Sequence, residues 1–225
     1  MVHDFDEFTV ETLVTGQKWE ENCYLLMDRE SGESAIVDPG DDANTIVDRL
    51  EVLGGRVRHL LLTHGHYDHM GAAYELCQRA RLSCSIHSAD LSLLRRAPAY
   101  AMVFEKRSIA IPNALAPFDG AQTFSLGRSL IKVWTTPGHT PGSVCFQIGT
   151  CVFPGDTLFP RTLGRTDLPG GASDQLIQSV DFLMSRLTDD VVILPGHGRP
   201  WNQSEARAWW TGTSHAEEVE AEGSR

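Results

Sequence analysis

The chain has 225 residues, with 19 lysines and arginines against 30 aspartates and glutamates, a formal charge of −11. An apolar share of 41% is ordinary for a folded protein and is enough for a sizeable core. The acidity argues against nucleic acid as a partner, since phosphate recognition relies on clustered lysine and arginine, and no stretch approaches the ~20 apolar residues that cross a bilayer.

In chain order, residues 8–14, 22–27 and 34–37 are short β-rich runs with polar punctuation and read as strands. Pro39-Gly40 stops the third. Ile46, Val47, Leu50 and Leu53 recur at helical spacing, so Ala43–Leu53 reads as a helix that Gly54-Gly55 ends. Residues 57–63 form a nearly continuous apolar run, the pattern of a strand buried on both faces. A helix over 72–80, a strand over Cys84–His87 and a short helix over 88–96 follow. Residues 97–118 contain Pro98, Pro112 and Pro117, show no clear period, and read as the longest irregular segment. Strands then come at Thr123–Leu126, Ser129–Thr135, 143–148 and 151–153, a helix at 173–187 and a buried strand at 191–194. Helices interleave with strands in both halves, which predicts an α/β fold whose sheets carry helices on their outer faces. Residues 1–210 read as one domain, and the acidic stretch 211–225, which lacks apolar anchors, as a frayed tail.

The first chemical signal is Thr63-His64-Gly65-His66-Tyr67-Asp68-His69, directly after the buried run. Three imidazoles and a carboxylate so close together are costly to hold unless a cation lies among them. Such donors suit zinc first, with iron or manganese as alternatives. Three more ligand-type residues each end an apolar strand in a Pro/Gly turn: Pro137-Gly138-His139, Pro154-Gly155-Asp156 and Pro195-Gly196-His197. Loops at one end of a sheet sandwich would gather all seven side chains. One zinc usually takes four ligands, so His64, His66, Asp68, His69, His139, Asp156 and His197 fit two divalent ions with Asp156 shared. None of the five cysteines (Cys23, Cys77, Cys84, Cys145, Cys151) sits beside these ligands or forms a CxxC pair, which suits reduced thiols and a cytoplasmic location. The start, Met1-Val2-His3-Asp4, lacks the basic and apolar regions of a signal peptide.

The His64-x-His66-x-Asp68-His69 motif, followed in order by His139, Asp156 and His197, resembles the metallo-β-lactamase-fold superfamily over about residues 8–200. Within it, Gly155-Asp156-Thr157-Leu158-Phe159 and Leu163-Gly164-Arg165-Thr166-Asp167 resemble the glyoxalase II-like hydrolase branch. The resemblance implies a four-layer αββα sandwich. It implies one metal on His64, His66 and His139, a second on Asp68, His69 and His197, and Asp156 bridging. The implied activity is hydrolysis of a thioester, or a related small acyl ester or lactone, by a metal-bridging hydroxide. Asp68 is then the catalytic group that orients the hydroxide and passes its proton on, while Tyr67 faces the substrate and Arg165 either does the same or forms a loop-stabilising ion pair with Asp167. Glyoxalase II proteins of full length carry a helical C-terminal extension that helps bind glutathione. Only 28 residues follow His197 here, so the related hydrolases without that extension are the closer match.

Persulfide dioxygenases resemble this branch as well, with a Gly-Arg-Thr-Asp stretch like residues 164–167. That alternative implies an oxidoreductase with one iron on His64, His139 and Asp156. Thr63 and Thr140 read as groups that hydrogen-bond to ligands, and His87 as a residue behind the ligands or at a strand end. Met102, Val103 and Phe104 would lie near the metals in this fold, and predict either a wall selecting a small-molecule acyl substrate or a contact within a homo-oligomer. Trp209-Trp210 predicts packing against the sandwich.

Overall fold

A computed structural model describes residues 1–5 and 7–212; of the expected acidic tail only Thr211 and Gly212 fall within the described residues. The first of two large sheets has seven strands in chain order: β1 (Val2–Asp4), β2 (Phe8–Thr15), β3 (Glu21–Asp28), β4 (Glu33–Val37), β5 (Arg56–Leu61), β6 (Cys84–His87) and β7 (Leu115–Phe118). β1 to β4 pair antiparallel, whereas β4 to β7 pair parallel and need crossovers. Helices α1 (Ala43–Leu53), α2 (Ala73–Ala80) and α3 (Leu91–Glu105) supply them. The second sheet contains β8 (Thr123–Leu126), β9 (Ser129–Thr135), β10 (Val144–Ile148) and β11 (Cys151–Gly155). After a hairpin of β12 (Leu158–Phe159) and β13 (Thr162–Leu163), α4 (Ser173–Arg186) leads to β14 (Val192–Pro195), which pairs parallel with β11. β15 (Trp201–Asn202) closes that edge, and α5 (Gln203–Gly212) follows it.

Successive side chains on a strand point to opposite faces, and that alternation assigns the layers. In β3, Tyr24 and Leu26 enter the core between the sheets, where they join Val144, Phe146 and Phe153 of the second sheet. Cys23 and Leu25 point the other way, into a cluster with Ile46 and Leu50 of α1, Leu76 of α2 and Leu94 of α3. On the second sheet, Cys145, Val152 and Ile193 face Val180 and Leu183 of α4 and Trp210 of α5. The layers are therefore helix, sheet, sheet, helix, the α/β sandwich expected.

Residues 97–118 differ from the irregular segment that their prolines predict. The helix does not stop before Pro98 but continues through it to Glu105, and Leu115–Phe118 is a strand. Proline inside a helix removes the bond to the carbonyl four residues earlier, here Leu94, at about 3 kcal/mol or more. Burial of Leu94, Ala97 and Ala101 along one stripe of α3 opposes that loss. Pro117 is tolerated because β7 is an edge strand with no further neighbour needing its N–H. The two tryptophans do pack on the sandwich: Trp210 donates to Asp181 of α4 at 2.7 Å and the Trp209 ring lies 6.0 Å from Trp201. Among the described residues no helix is long and apolar enough to cross a membrane.

The sheets meet closely at one edge. Val144 of β10 donates to the Thr63 carbonyl at 2.8 Å, and Asn22 of β3 donates to the Gly196 carbonyl at 2.7 Å. Loops leaving β4, β5, β9, β11 and β14 all end there. Phe146, fully buried between the sheets, should be a stability anchor. Phe146→Ala is expected to lower unfolding free energy by about 3–5 kcal/mol in denaturant melts, whereas Val52→Ala, at a position 73% exposed, should change it by less than about 0.5 kcal/mol.

Candidate metal centre

The strand β5 runs into Thr63, whose N–H and hydroxyl both donate to the Asp38 carboxylate at 2.8 and 2.6 Å. That clamp launches the loop carrying His64 and His66, and one tight helical turn, Tyr67–His69, then presents Asp68 and His69. His139 comes from the β9–β10 loop, Asp156 from the end of β11 and His197 from the end of β14. All seven expected ligands converge.

They form two groups. His66 Nδ1 lies 3.1 Å from His64 Nε2 and 2.9 Å from His139 Nε2. His69 Nε2 lies 3.2 Å from His197 Nε2, with the Asp68 carboxylate 3.8 and 3.5 Å from the two nitrogens. Asp156 reaches both groups: its oxygens are 3.7 Å from His139 Nε2, 3.4 Å from His69 Nε2 and 3.6 Å from His197 Nε2.

The outer ring nitrogens fix what the inner ones offer. His139 Nδ1 donates to the Arg165 carbonyl at 2.7 Å, His197 Nδ1 to the Trp19 carbonyl at 2.9 Å, and His69 Nδ1 faces Asp38 at 3.2 Å. A nitrogen facing a carbonyl or carboxylate carries a proton, so Nε2 is the atom that His139, His197 and His69 turn inward, with a lone pair whenever the ring is neutral. Lone pairs at such separations repel unless something positive lies between them. Asp156 Oδ1 is buried and accepts no hydrogen bond, a second sign that the donor set is arranged for cations. Imidazole and carboxylate donors suit zinc, iron or manganese.

Electrostatics separate the groups. Burial, followed by repulsion from neighbouring rings, lowers His64 well below the usual imidazole range and brings His66 to about 3. These rings are neutral and ready to ligate. Burial also opposes charge on His69 and His197, but Asp156 and Asp68 outweigh it and raise both. The same pairing holds Asp68 and Asp156 below the ordinary carboxylate range against their own burial. A cation entering the second group therefore displaces protons.

Several positioning groups escaped the sequence reading. Asp38 ends β4 in Val37-Asp38-Pro39-Gly40, the same strand-then-Pro/Gly grammar as three of the ligands, and that signal could have found it. Asp90 is fully buried and accepts from Gly65 N–H at 2.8 Å, Thr140 hydroxyl at 2.7 Å and Gly142 N–H at 2.6 Å. It locks the His64–His66 loop to the His139 loop, although its place before α3 looks like a helix cap. Asn22 and Tyr24 both donate to the Pro195 carbonyl, at 2.9 and 2.6 Å, and hold the His197 loop. Glu21, packed against Gly16 and Gly40 beneath this loop, is pushed up to about 7 by burial.

Thr63 touches His64 Nδ1 at 3.0 Å as expected, whereas Thr140 serves Asp90. His87 accepts from Ala89 N–H at 3.3 Å and Gly120 N–H at 3.4 Å, a strand-end role. The Arg165 guanidinium makes two bonds of 2.7 Å to Asp167, while its carbonyl anchors His139. Tyr67 accepts from Trp19 Nε1 at 2.6 Å.

The sequence profile of the metallo-beta-lactamase superfamily matches residues 17–197. The chain is 35% identical to hydroxyacylglutathione hydrolase GloC of Haemophilus influenzae over 185 residues, covering 80% of this chain and 86% of that protein. It is 30% identical to BaeB of Bacillus velezensis, described as a probable polyketide biosynthesis zinc-dependent hydrolase, covering 88% of this chain and 80% of that protein. The crystal structure of TTHA1623 in a di-iron-bound form superposes with a TM-score of 0.79 at 32% identity, covering 88% of this chain and 97% of that one.

Removing Asp90 leaves two buried N–H groups without an acceptor. Asp90→Ala is expected to weaken metal affinity by about 10–100-fold, measured by chelator competition. A side chain at Gly196 would collide with Asp156 and approach His69 Cε1 to 2.8 Å. Gly196→Ala should lower the metal-to-protein ratio, and unchanged metal content in both variants would contradict this account.

Proposed function

The chain belongs to the metallo-beta-lactamase superfamily, and within it we propose a dinuclear hydrolase of thioesters or related small acyl esters and lactones. The observation that carries this reading is the pair of donor groups, each with ring nitrogens turned inward, sharing the Asp156 carboxylate between them. Likeness to GloC and BaeB supports hydrolysis of an acyl compound. Zinc is the first candidate, in line with the description of BaeB; the di-iron form of TTHA1623 keeps iron beside it.

In this reading His64, His66 and His139 hold one ion, Asp68, His69 and His197 the other, and Asp156 serves both. Such ions supply water that ionises near pH 7 and a Lewis acid for a carbonyl oxygen. The chain's residues do the rest. Asp68 stays ionised because His69 and His197 outweigh its burial, so its carboxylate can orient a water proton and accept it as the acyl carbon is attacked. The Arg165 carbonyl and the Trp19 carbonyl keep His139 and His197 in their ligating orientation. A thiol leaves as thiolate with an ordinary pKa of about 8.5, so a thioester needs no strong general acid. Tyr67, and Arg165 braced by Asp167, are the substrate-side groups in this reading.

Metal content measured alongside a panel of thioesters, lactones and β-lactams tests the proposal. About two ions per chain with thioester turnover is the expected result. No turnover by the folded, fully metallated protein would sink it, and one iron per chain with oxygen uptake would assign a persulfide dioxygenase instead. Asp156→Ala should abolish activity and halve the metal content or worse. Asp68→Asn should lower kcat by about 10²–10⁴-fold.

A further inference from the structure

We propose that a strip of four aromatic rings, Trp19, Tyr67, Phe104 and Tyr100, is the acyl subsite of this centre and selects aryl acyl groups over small or charged ones. The assignment deepens the hydrolase reading and rests on it for the identity of the reacting bond.

The strip starts at the metal ligands. Tyr67 lies in sequence between His66 and Asp68, and the carbonyl of Trp19 accepts the His197 Nδ1 proton at 2.9 Å. From there the rings run outward along α3. Tyr67 and Phe104 stack with centroids 6.2 Å apart and planes 11° apart, and Phe104 and Tyr100 repeat the arrangement at 6.1 Å and 7°. Parallel rings at that spacing leave flat apolar faces and edges for a third aromatic group.

Tyr67 and Tyr100 root the strip in the helix-side core, and Trp19 and Phe104 carry it to the surface. Tyr67, at its inner end, is 8% exposed, while Trp19 is 42% and Phe104 47% exposed. Met102 and Val103, on the same turn of α3, are also exposed, at 48% and 62%. Trp19 and Phe104 both meet Tyr67, inside the ligand turn, so exposed aromatic surface adjoins the donor loop, as at a binding surface.

It is also preformed. Lys18 donates to the Phe104 carbonyl at 2.9 Å and lies 4.9 Å over the Trp19 ring, so the β2–β3 loop is pinned to the C-terminal end of α3. Trp19 Nε1 donates to the Tyr67 hydroxyl at 2.6 Å, which ties the β2–β3 loop to the turn that carries Asp68 and His69. The cations bordering the strip are engaged: Lys18 as above, and Arg107 with Asp41 at 2.7 Å and Glu105 at 3.2 Å. An anionic acyl group would gain little there, whereas an aryl group covers surface that is otherwise wet.

The test uses the metallated protein and thioesters of one small neutral thiol, carrying acetyl, phenylacetyl or succinyl groups. The wild type should prefer phenylacetyl. Phe104→Ala should lower the phenylacetyl-to-acetyl ratio of kcat/KM about ten-fold or more, chiefly through KM, and Phe104→Leu should lower it less. An unchanged ratio, or preference for succinyl, overturns the subsite. Calorimetry with the unreactive 2-phenylethyl thioether of the same thiol separates the two readings. If no thioester is hydrolysed yet this ligand binds the wild type at least ten-fold tighter than Phe104→Ala, the hydrolase reading fails and the subsite stands. If the ligand binds both alike or neither, the subsite fails. A dimer in sedimentation that Phe104→Ala dissolves also overturns it, because the strip would then be an interface between copies.

Discussion

Ring nitrogens turned towards one another about 3 Å apart, beside two carboxylates, are an arrangement that a buried site tolerates only with protons or cations among them. The surrounding architecture works to enforce it. Four of the five imidazoles are held from behind: His64 by Thr63, His69 by Asp38, His139 by the Arg165 carbonyl and His197 by the Trp19 carbonyl. Those holders are held in turn: Asp38 by Thr63 at the end of a buried strand, and the two histidine loops by Asp90, which has no solvent contact of its own. Glycine at position 196 lets the backbone pass where any Cβ would strike Asp156. The stability of the apolar layers is what sustains this local repulsion, and cations are what relieve it.

Much of this was legible in the chain. The seven candidate ligands stood out because His64 to His69 directly follow a buried run and His139, Asp156 and His197 follow apolar runs through Pro/Gly turns, and a strand end is where a short loop can aim a side chain with little freedom. The layers were legible for the same reason: runs such as residues 57–63 must be covered on both faces. What stayed hidden depended on contacts remote in sequence. Asp90 resembles a helix cap until Gly65, Thr140 and Gly142 are brought to it. Pro98 looks like a stop signal, because local propensity carries no information about the sheet that buries Leu94, Ala97 and Ala101. β1, β12, β13 and β15 are two or three residues long, too short for any period to show.

The polar and apolar parts of the site share residues rather than lying side by side. Trp19 contributes its carbonyl to a ligand and its ring to the mouth; Tyr67 sits in the ligand turn yet stacks on α3. A change that rotates either ring therefore disturbs the orientation of His197 or of the Asp68–His69 turn. The aromatic rings and the donor set are thus coupled through backbone.

The joint between the sheets, where Val144 of one donates to Thr63 of the other, has a consequence for how the molecule is assembled. The first sheet's loops bring His64, His66, Asp68 and His69; the second sheet's bring His139, Asp156 and His197. Neither half owns a complete donor set. A nascent chain with only its first half folded would offer an incomplete site, and the ions acquire full affinity once the halves have docked. Bound metal then acts as a latch across the sandwich, stabilising the docked state in proportion to the logarithm of free metal over its dissociation constant. Separating the sheets would part the donor set and release a cation held there, so its retention would report that the two halves are docked.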